Sequence, residues 1–334
     1  MRWRYLCLLC LASWGSAVFA SGWDAPKAFE FLEARQRQWA AWPSARKAGG
    51  PCISCHSGLS YLLASREVGD ATPRPAERDL VAGVVQRASA TPPTSTLPDP
   101  GAEAVLNLLT LSLQRRASTA RVSDAERAAL ATLWERQIRD GADKGSWTWV
   151  DAELDPFDAA HSSYFGTALA VLALSPYPEQ PADRLAETTS YLRRRIDRQP
   201  LHHKLAYLAF TRPTDRTLTD SILDATWHAQ SADGGWTTAS MGPWLPHEGN
   251  PPDAGSNAYT TAWAAYALHR FGIACADRRL GRALDWLERR QDRGSGGWPA
   301  VSMNKVYPRG SIQEGFMTDA ATGFAAAALV ACGR

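Results

Sequence analysis

The apolar positions of the chain recur with helical spacing, and no alternating, strand-like run of any length competes with them. Ala25 to Trp42 predicts a first helix, with Phe29, Leu32 and Trp39 on one face and Pro43 near its end. Ser57 to Ser65 continues helical and apolar through Leu59, Tyr61, Leu62 and Leu63, and Ala76 to Ala88 predicts a third helix. Beyond residue 100 two kinds of helix alternate. Ala102–Leu113, Ala160–Leu174, Leu201–Phe210, Ala258–Phe271 and Asp319–Ala331 are apolar all round and rich in small residues. Asp124–Arg139, Ala182–Arg198, Thr219–Gln230 and Arg278–Gln291 are amphipathic and charged, and Ser123 with Glu126 spells a capping box at the start of the first of these. A helix without a polar face must be buried, whereas one with a polar face lines the outside. The pattern therefore predicts an all-α protein, most simply an α/α barrel with the small-residue helices inside.

The outer helices share an ending. Gln137 leads to Gly145-Ser146-Trp147, Gln230 to Asp233-Gly234-Gly235-Trp236, and Gln291 to Gly296-Gly297-Trp298. Glycine permits the left-handed turn that stops a helix, and a tryptophan can cover the junction while its indole N–H finds an acceptor. Equivalent endings make a repeat, hence stacked units sharing one core.

These endings resemble the Q-W repeats of squalene–hopene cyclases and the related prenyltransferase-type toroids, over roughly residues 102–334. The resemblance implies an α/α toroid around a central apolar cavity, with Trp147, Trp236 and Trp298 bracing it and taking no part in chemistry. It also implies a catalytic aspartate at the start of an inner helix. The D-x-D-D run of the bacterial squalene–hopene form does not occur in the sequence, which argues against standard squalene cyclisation. Thr318-Asp319-Ala320-Ala321-Thr322 is similar to the single-aspartate segment of oxidosqualene cyclases, making Asp319 the candidate general acid; the plain alternative is that Asp319 caps its helix. Asp158 and Asp253 lie near the starts of other inner helices.

A second signal lies outside those repeats. Cys52-Ile53-Ser54-Cys55-His56 is a C-x-x-C-H run, the attachment signal for a c-type haem. Cys52 and Cys55 would form the thioethers, on adjacent turns of a short helix, and His56 would be the proximal iron ligand. A tetrahedral zinc site is disfavoured because Cys55 and His56 are neighbours and no second C-x-x-C pair completes it. A thioredoxin-like pair would need a βαβ setting, and a simple disulfide is the remaining alternative. Exported bacterial proteins that join a cyclase-like toroid to one such motif look similar.

The amino-terminal stretch supports export. Arg2 and Arg4 precede a largely apolar run from Tyr5 to Phe19, and Val18-Phe19-Ala20 suits cleavage near Ala20. The run is short for a membrane span, and Leu9 before Cys10 does not fit a lipobox. We therefore expect a signal at residues 1–20, a haem-bearing helical segment at 21–100 and the toroid at 101–334, in a periplasmic protein without a transmembrane span in its mature form. Cys275 and Cys332 are then free to pair as a disulfide or to remain buried thiols. Of 36 basic residues, removal of Arg2 and Arg4 leaves 34, balancing 34 acidic ones. That balance gives no electrostatic case for nucleic acid or an anionic membrane.

The sixth iron position separates electron transfer from oxidant chemistry. Met317 and His161, each preceding an inner helix, are the candidate distal ligands; His202-His203 is a core pair or a ligand. The sequence thus predicts one covalent haem c in an oxidoreductase or electron-transfer protein, acting on an apolar, isoprenoid-like small molecule with a periplasmic electron partner. The alternatives are a terpenoid cyclase or isomerase using Asp319, and a non-catalytic haem sensor or binding module.

Overall fold

A computed structural model describes residues 22–46, 50–69, 72–88, 99–115, 121–152, 154–244, 255–303 and 305–334. The expected signal, with Cys7 and Cys10, and also His247 and Asp253, lie outside the described residues. Among those described the protein is all-helical, with no strand beyond the isolated bridge between Leu154 and Asp158. The helices are α1 (Ala25–Ala41), α2 (Ser57–Val68), α3 (Pro75–Ala88), α4 (Pro100–Gln114), α5 (Asp124–Arg136), α6 (Ser163–Leu174) and α7 (Ala182–Arg195). There follow α8 (Leu201–Thr211), α9 (Arg216–His228), the single-turn α10 (Thr238–Met241), α11 (Ala258–Phe271), α12 (Arg278–Arg290) and α13 (Phe316–Ala331). None of them is long and apolar enough to cross a membrane.

The two helix kinds expected from patterning are present. In α2 every residue from Ser57 to Ser65 is buried, and α4, α6, α8, α11 and α13 are likewise buried over most of their surface. α12 instead buries the stripe Leu280, Ala283, Leu284 and Leu287, and leaves its arginines in solvent. The buried helices contact one another in sequence: α2 packs on α4, α4 on α6, α6 on α8, α8 on α11, α11 on α13, and α13 on α2. The others back onto them, α1 on α2 and α13, α3 and α5 on α4, α7 on α6, α9 on α8, and α12 on α11 and α13. One hydrophobic cluster runs from Trp23 to Leu329, so residue 100 is not a packing boundary. α2 takes its place among the buried helices because it has no polar face to offer to solvent.

Small residues set the closest approach. A Cβ at Gly323 of α13 would lie 2.4 Å from the Cβ of Ser60 in α2, so the two helices meet almost backbone to backbone there. Such proximity brings many atom pairs into dispersion range, each worth about 0.1–0.2 kcal/mol.

The shared Gln…Gly…Trp endings form equivalent junctions between successive outer helices. Gln137 Nε2 donates to the carbonyl oxygens of Gly145 and Arg184, Gln230 Nε2 to those of Gly234 and Arg279, and Gln291 Nε2 to those of Gly296 and Asp24. In each pair the first acceptor belongs to the glycine two residues before the tryptophan, and the second to the start of the next outer helix. Trp147, Trp236 and Trp298 are fully buried, and their indole N–H groups donate to the carbonyls of Leu133, Thr226 and Leu287 on the helix just ended. The third junction reaches back 267 residues to Asp24, whose own N–H donates to Gln291 Oε1. The amino-terminal helix α1 therefore follows α12 in space.

Two consequences are measurable. Gly296 has φ +84°, and a Cβ there would fall 2.4 Å from the carbonyl oxygen of Lys27. Gly296→Ala should therefore lower stability by about 2–3 kcal/mol through strain and displacement of α1. Gly281→Ala, inside α12 where an added Cβ meets nothing within 4 Å, should gain about 0.5–1 kcal/mol. Chemical unfolding of the two variants checks both signs.

The capping box at Ser123 is present, and Glu126 does more than cap. Burial alone would raise its pKa, but hydrogen bonds from Arg115, from the backbone and hydroxyl of Ser123, and from the Tyr177 hydroxyl bring it down to about 2. A carboxylate depressed in the folded state contributes stability above its unfolded pKa and loses it as pH falls through the folded value. Glu126→Gln should cost about 3 kcal/mol at neutral pH. The difference from the parent should shrink between pH 4.5 and 2, as read from unfolding curves across that range.

Candidate functional site

The C-x-x-C-H run lies at the entrance to α2. The sequence reading put Cys52 and Cys55 on helical turns; instead residues 51–54 are irregular, Cys55 and His56 form a turn, and the helix starts at Ser57. Pro51 and the glycines before it do not favour helix, and Ser54 supplies the reason for the start at this point. Its hydroxyl accepts from the backbone N–H groups of His56 and Ser57, satisfying donors that a helix start leaves open. The carbonyl of Cys52 is held by the Trp39 indole N–H at 2.6 Å.

Both cysteines are free thiols, Cys52 partly exposed and Cys55 buried. Burial pushes the Cys52 thiol up to about 11 and raises Cys55 well above the usual thiol range, the latter reinforced by the nearby Asp158 carboxylate. His56 has its ring between Phe316, stacked at 5.2 Å, and Phe157, edge-on at 5.0 Å. Burial lowers its pKa to about 4, which keeps the imidazole neutral at physiological pH. Two unpaired thiols and a neutral imidazole at this spacing are the donor set that covalent haem attachment requires. Aromatic walls on both sides of the ring limit access of water to it.

Behind this turn sits Asp319, fully buried. The sequence reading placed it at the start of its helix as a cap or as a general acid directed inward. Because α13 begins at Phe316, Asp319 falls within the first turn and caps nothing. Its Oδ1 accepts from Arg35 Nε of α1 at 2.5 Å and its Oδ2 from the Ser57 hydroxyl of α2 at 2.5 Å. Burial raises its pKa to about 6 against the opposing effect of Arg35 and Ser57. Arg35 also donates to Gln38 and to the carbonyl of Ile312. With one oxygen bonded to Arg35 and the other to Ser57, Asp319 joins three helices next to His56.

The two distal-ligand candidates part company. Met317 is buried in the first turn of α13, next to the Phe316 that stacks on His56. His161 is in a short 3-10 turn before α6, largely exposed, with Nε2 3.0 Å from the Asp155 carboxylate and its ring stacked on Trp244. The turn before it carries Phe157 and Asp158, and burial raises Asp158 to about 7.

Phe157 connects the motif to an aromatic interior. Its ring lies 5.0 Å from His56, 5.4 Å from Phe165, 5.7 Å from Tyr259 and 6.0 Å from His202. His202 and His203 are both fully buried, and burial depresses both pKa values, His203 to about 3. Tyr259 OH and His202 Nε2 are 2.6 Å apart, while His202 Nδ1 has no hydrogen-bond partner among the described residues. The pair left open by the sequence is therefore an interior one. Phe157, Phe316, Arg35 and Tyr259 were not singled out by sequence reasoning. Only position could have exposed them, for Phe316 lies three residues before Asp319 and Phe157 adjoins Asp158.

No protein-family model matches the chain, and no curated protein matches it.

Removing Arg35 should isolate a buried carboxylate beside the motif. Arg35→Met is expected to cost about 3–5 kcal/mol at neutral pH. The penalty should diminish below about pH 6, where Asp319 becomes protonated, because a raised folded pKa lowers stability as pH rises. Arg35→Met with Asp319→Leu should recover at least half of the loss. Thermal unfolding at pH 5 and pH 8 distinguishes this anchor from a solvent-screened pair, which would show no such pH dependence.

Proposed function

We propose that this chain is an exported, periplasmic c-type haem protein: a redox protein, either an electron carrier or a haem-dependent oxidoreductase, built on an α/α toroid. The inner ring is α2, α4, α6, α8, α11 and α13, the outer ring α1, α3, α5, α7, α9 and α12. The cyclic order of the packing contacts supports this reading, as do the three Gln…Gly…Trp junctions.

The observation that carries the functional reading is the donor set at the start of α2: two free thiols and a neutral, ring-stacked His56. Cys52 and Cys55 would hold the porphyrin through thioethers and His56 would ligate the iron. The haem, when bound, supplies one-electron chemistry or oxidant activation. The residues of the chain have separable roles. Asp319, anchored by Arg35 and bonded to Ser57, fixes the residue that follows His56. Trp39 holds the carbonyl of Cys52. Phe157 and Phe316 restrict water around the imidazole, and Met317, buried beside Phe316, would be a second side chain able to hold the iron. The rings of Phe165, Trp263 and Phe324, continuous with Phe157 through Tyr259, suit an apolar molecule better than a charged one.

Expression with cytochrome c maturation machinery tests this. The purified protein should carry haem that stays with the polypeptide on denaturing electrophoresis, and Cys52→Ala with Cys55→Ala should abolish it. His56→Ala should retain covalent haem but change its spectrum. Haem that leaves the parent polypeptide on denaturation, or a spectrum indifferent to His56, overturns the reading.

A further inference from the structure

Away from the C-x-x-C-H run, the second pair of cysteines forms a disulfide, Cys275 to Cys332, with His269 beside it. His269 Nδ1 lies 3.3 Å from Cys275 Sγ and 3.7 Å from Cys332 Sγ. All three side chains are partly exposed, and their ligand atoms lie within 4.8 Å of one another. The disulfide alone does not call for a histidine on its edge with a ring nitrogen aimed at both sulfurs.

We propose that reduction of this disulfide opens a Cys2His site for one thiophilic metal ion, of the Zn2+ or Cu+ class. A tetrahedral ion with metal–sulfur bonds of about 2.3 Å and metal–nitrogen bonds of about 2.0 Å has sulfur-to-nitrogen edges near ~3.5 Å. The two separations found here, 3.3 and 3.7 Å, straddle that edge. Once the sulfur–sulfur bond is cleaved, the sulfurs need only part to the tetrahedral edge of about 3.7 Å that two 2.3 Å bonds define.

Contacts besides the disulfide tie the three ligand-bearing segments together. His269 is in the last turn of α11, Cys275 is in the short connection to α12, and Cys332 follows α13. α11 packs directly on α13, and α12 contacts both. The turn after α11 is pinned by the N–H groups of Gly272 and Ile273 donating to Leu268, and the one after α13 by those of Cys332 and Gly333 donating to Ala328 and Val330. Arg334 further ties that segment to Asp285 of α12. Partial exposure leaves room for a dithiol reductant to reach the sulfurs, and for water as the fourth ligand, the pattern of an open rather than a closed site.

The chemistry balances. A dithiol donor gives two electrons and two protons to the cystine, becoming a disulfide itself and leaving two thiols. A divalent ion then displaces both thiol protons and takes the lone pair of His269 Nδ1, with the remaining ring proton on Nε2. Exchange with a small-molecule disulfide, which takes up the two electrons and two protons and leaves as two thiols, restores the bond and releases the ion. This inference does not rest on the haem reading.

The test uses the full chain carrying Cys7→Ser, Cys10→Ser, Cys52→Ser and Cys55→Ser, so that no other thiols compete, reduced with a phosphine under anaerobic conditions. Titration with Co2+ should give one equivalent of tetrahedral absorption with thiolate-to-metal charge transfer, displaced by Zn2+ and absent from the oxidised protein. His269→Ala keeps both cysteines and should weaken Co2+ binding by about 10–100-fold or more. Circular dichroism before and after reduction should show the same helix content. Binding that survives in a Cys275→Ser, Cys332→Ser variant, binding indifferent to His269, absence of charge transfer, or unfolding on reduction would each overturn the proposal.

Discussion

A helix without a polar face has to find neighbours on every side, and six of the described helices are in that position. Each is buried along most of its length, so none can be placed until the others are. Their contacts run from one to the next and return from α13 to α2. Alanine, glycine and serine permit the close approach, as where Gly323 meets Ser60. The amphipathic helices then serve as the outer cover, and the Gln…Gly…Trp junctions link the end of one to the start of another through the side-chain amide of each glutamine.

That constraint gives the C-x-x-C-H run its setting. The run leads into α2, one of the helices that cannot be exposed, so the thiols and imidazole sit against the interior instead of on a mobile arm. Three helices meet at Asp319, which takes Arg35 from α1 and Ser57 from α2. A buried ion pair of this kind is weak evidence for net stability, since desolvation offsets much of the attraction. Its worth here is positional, for it fixes the residue after His56. From His56 the aromatic contacts continue through Phe157 to Tyr259 and His202, which links the motif to the interior without a polar gap.

Much of the helical order was readable from local signals. Hydrophobic periodicity separates α11 from α12, the capping box announces α5, and the repeated Gln and Trp residues mark equivalent junctions. What local signals could not supply is which residues meet across the fold. Asp319 reads as a cap or an acid because its partners Arg35 and Ser57 are 284 and 262 residues away in sequence. The amino-terminal 80 residues of the expected mature chain read as a separate haem-bearing helical segment because α1 and α2 precede the repeats. Gln291 bonding Asp24 across 267 residues places them with the repeats instead. Cys275 and Cys332 could be paired or free on sequence grounds, and the packing of α11 on α13 brings them together. The C-x-x-C-H spacing was legible; the turn geometry that puts the thiols ahead of the helix depends on Ser54 and was not.

Intact mass and optical spectrum of the mature protein, produced in a cell that matures c-type cytochromes, bear most directly on the central claim that α2 carries a haem into this fold. The account predicts a polypeptide heavier by one porphyrin, with c-type absorbance in the reduced state and native helix content. A colourless protein with the mass of the bare polypeptide would contradict it.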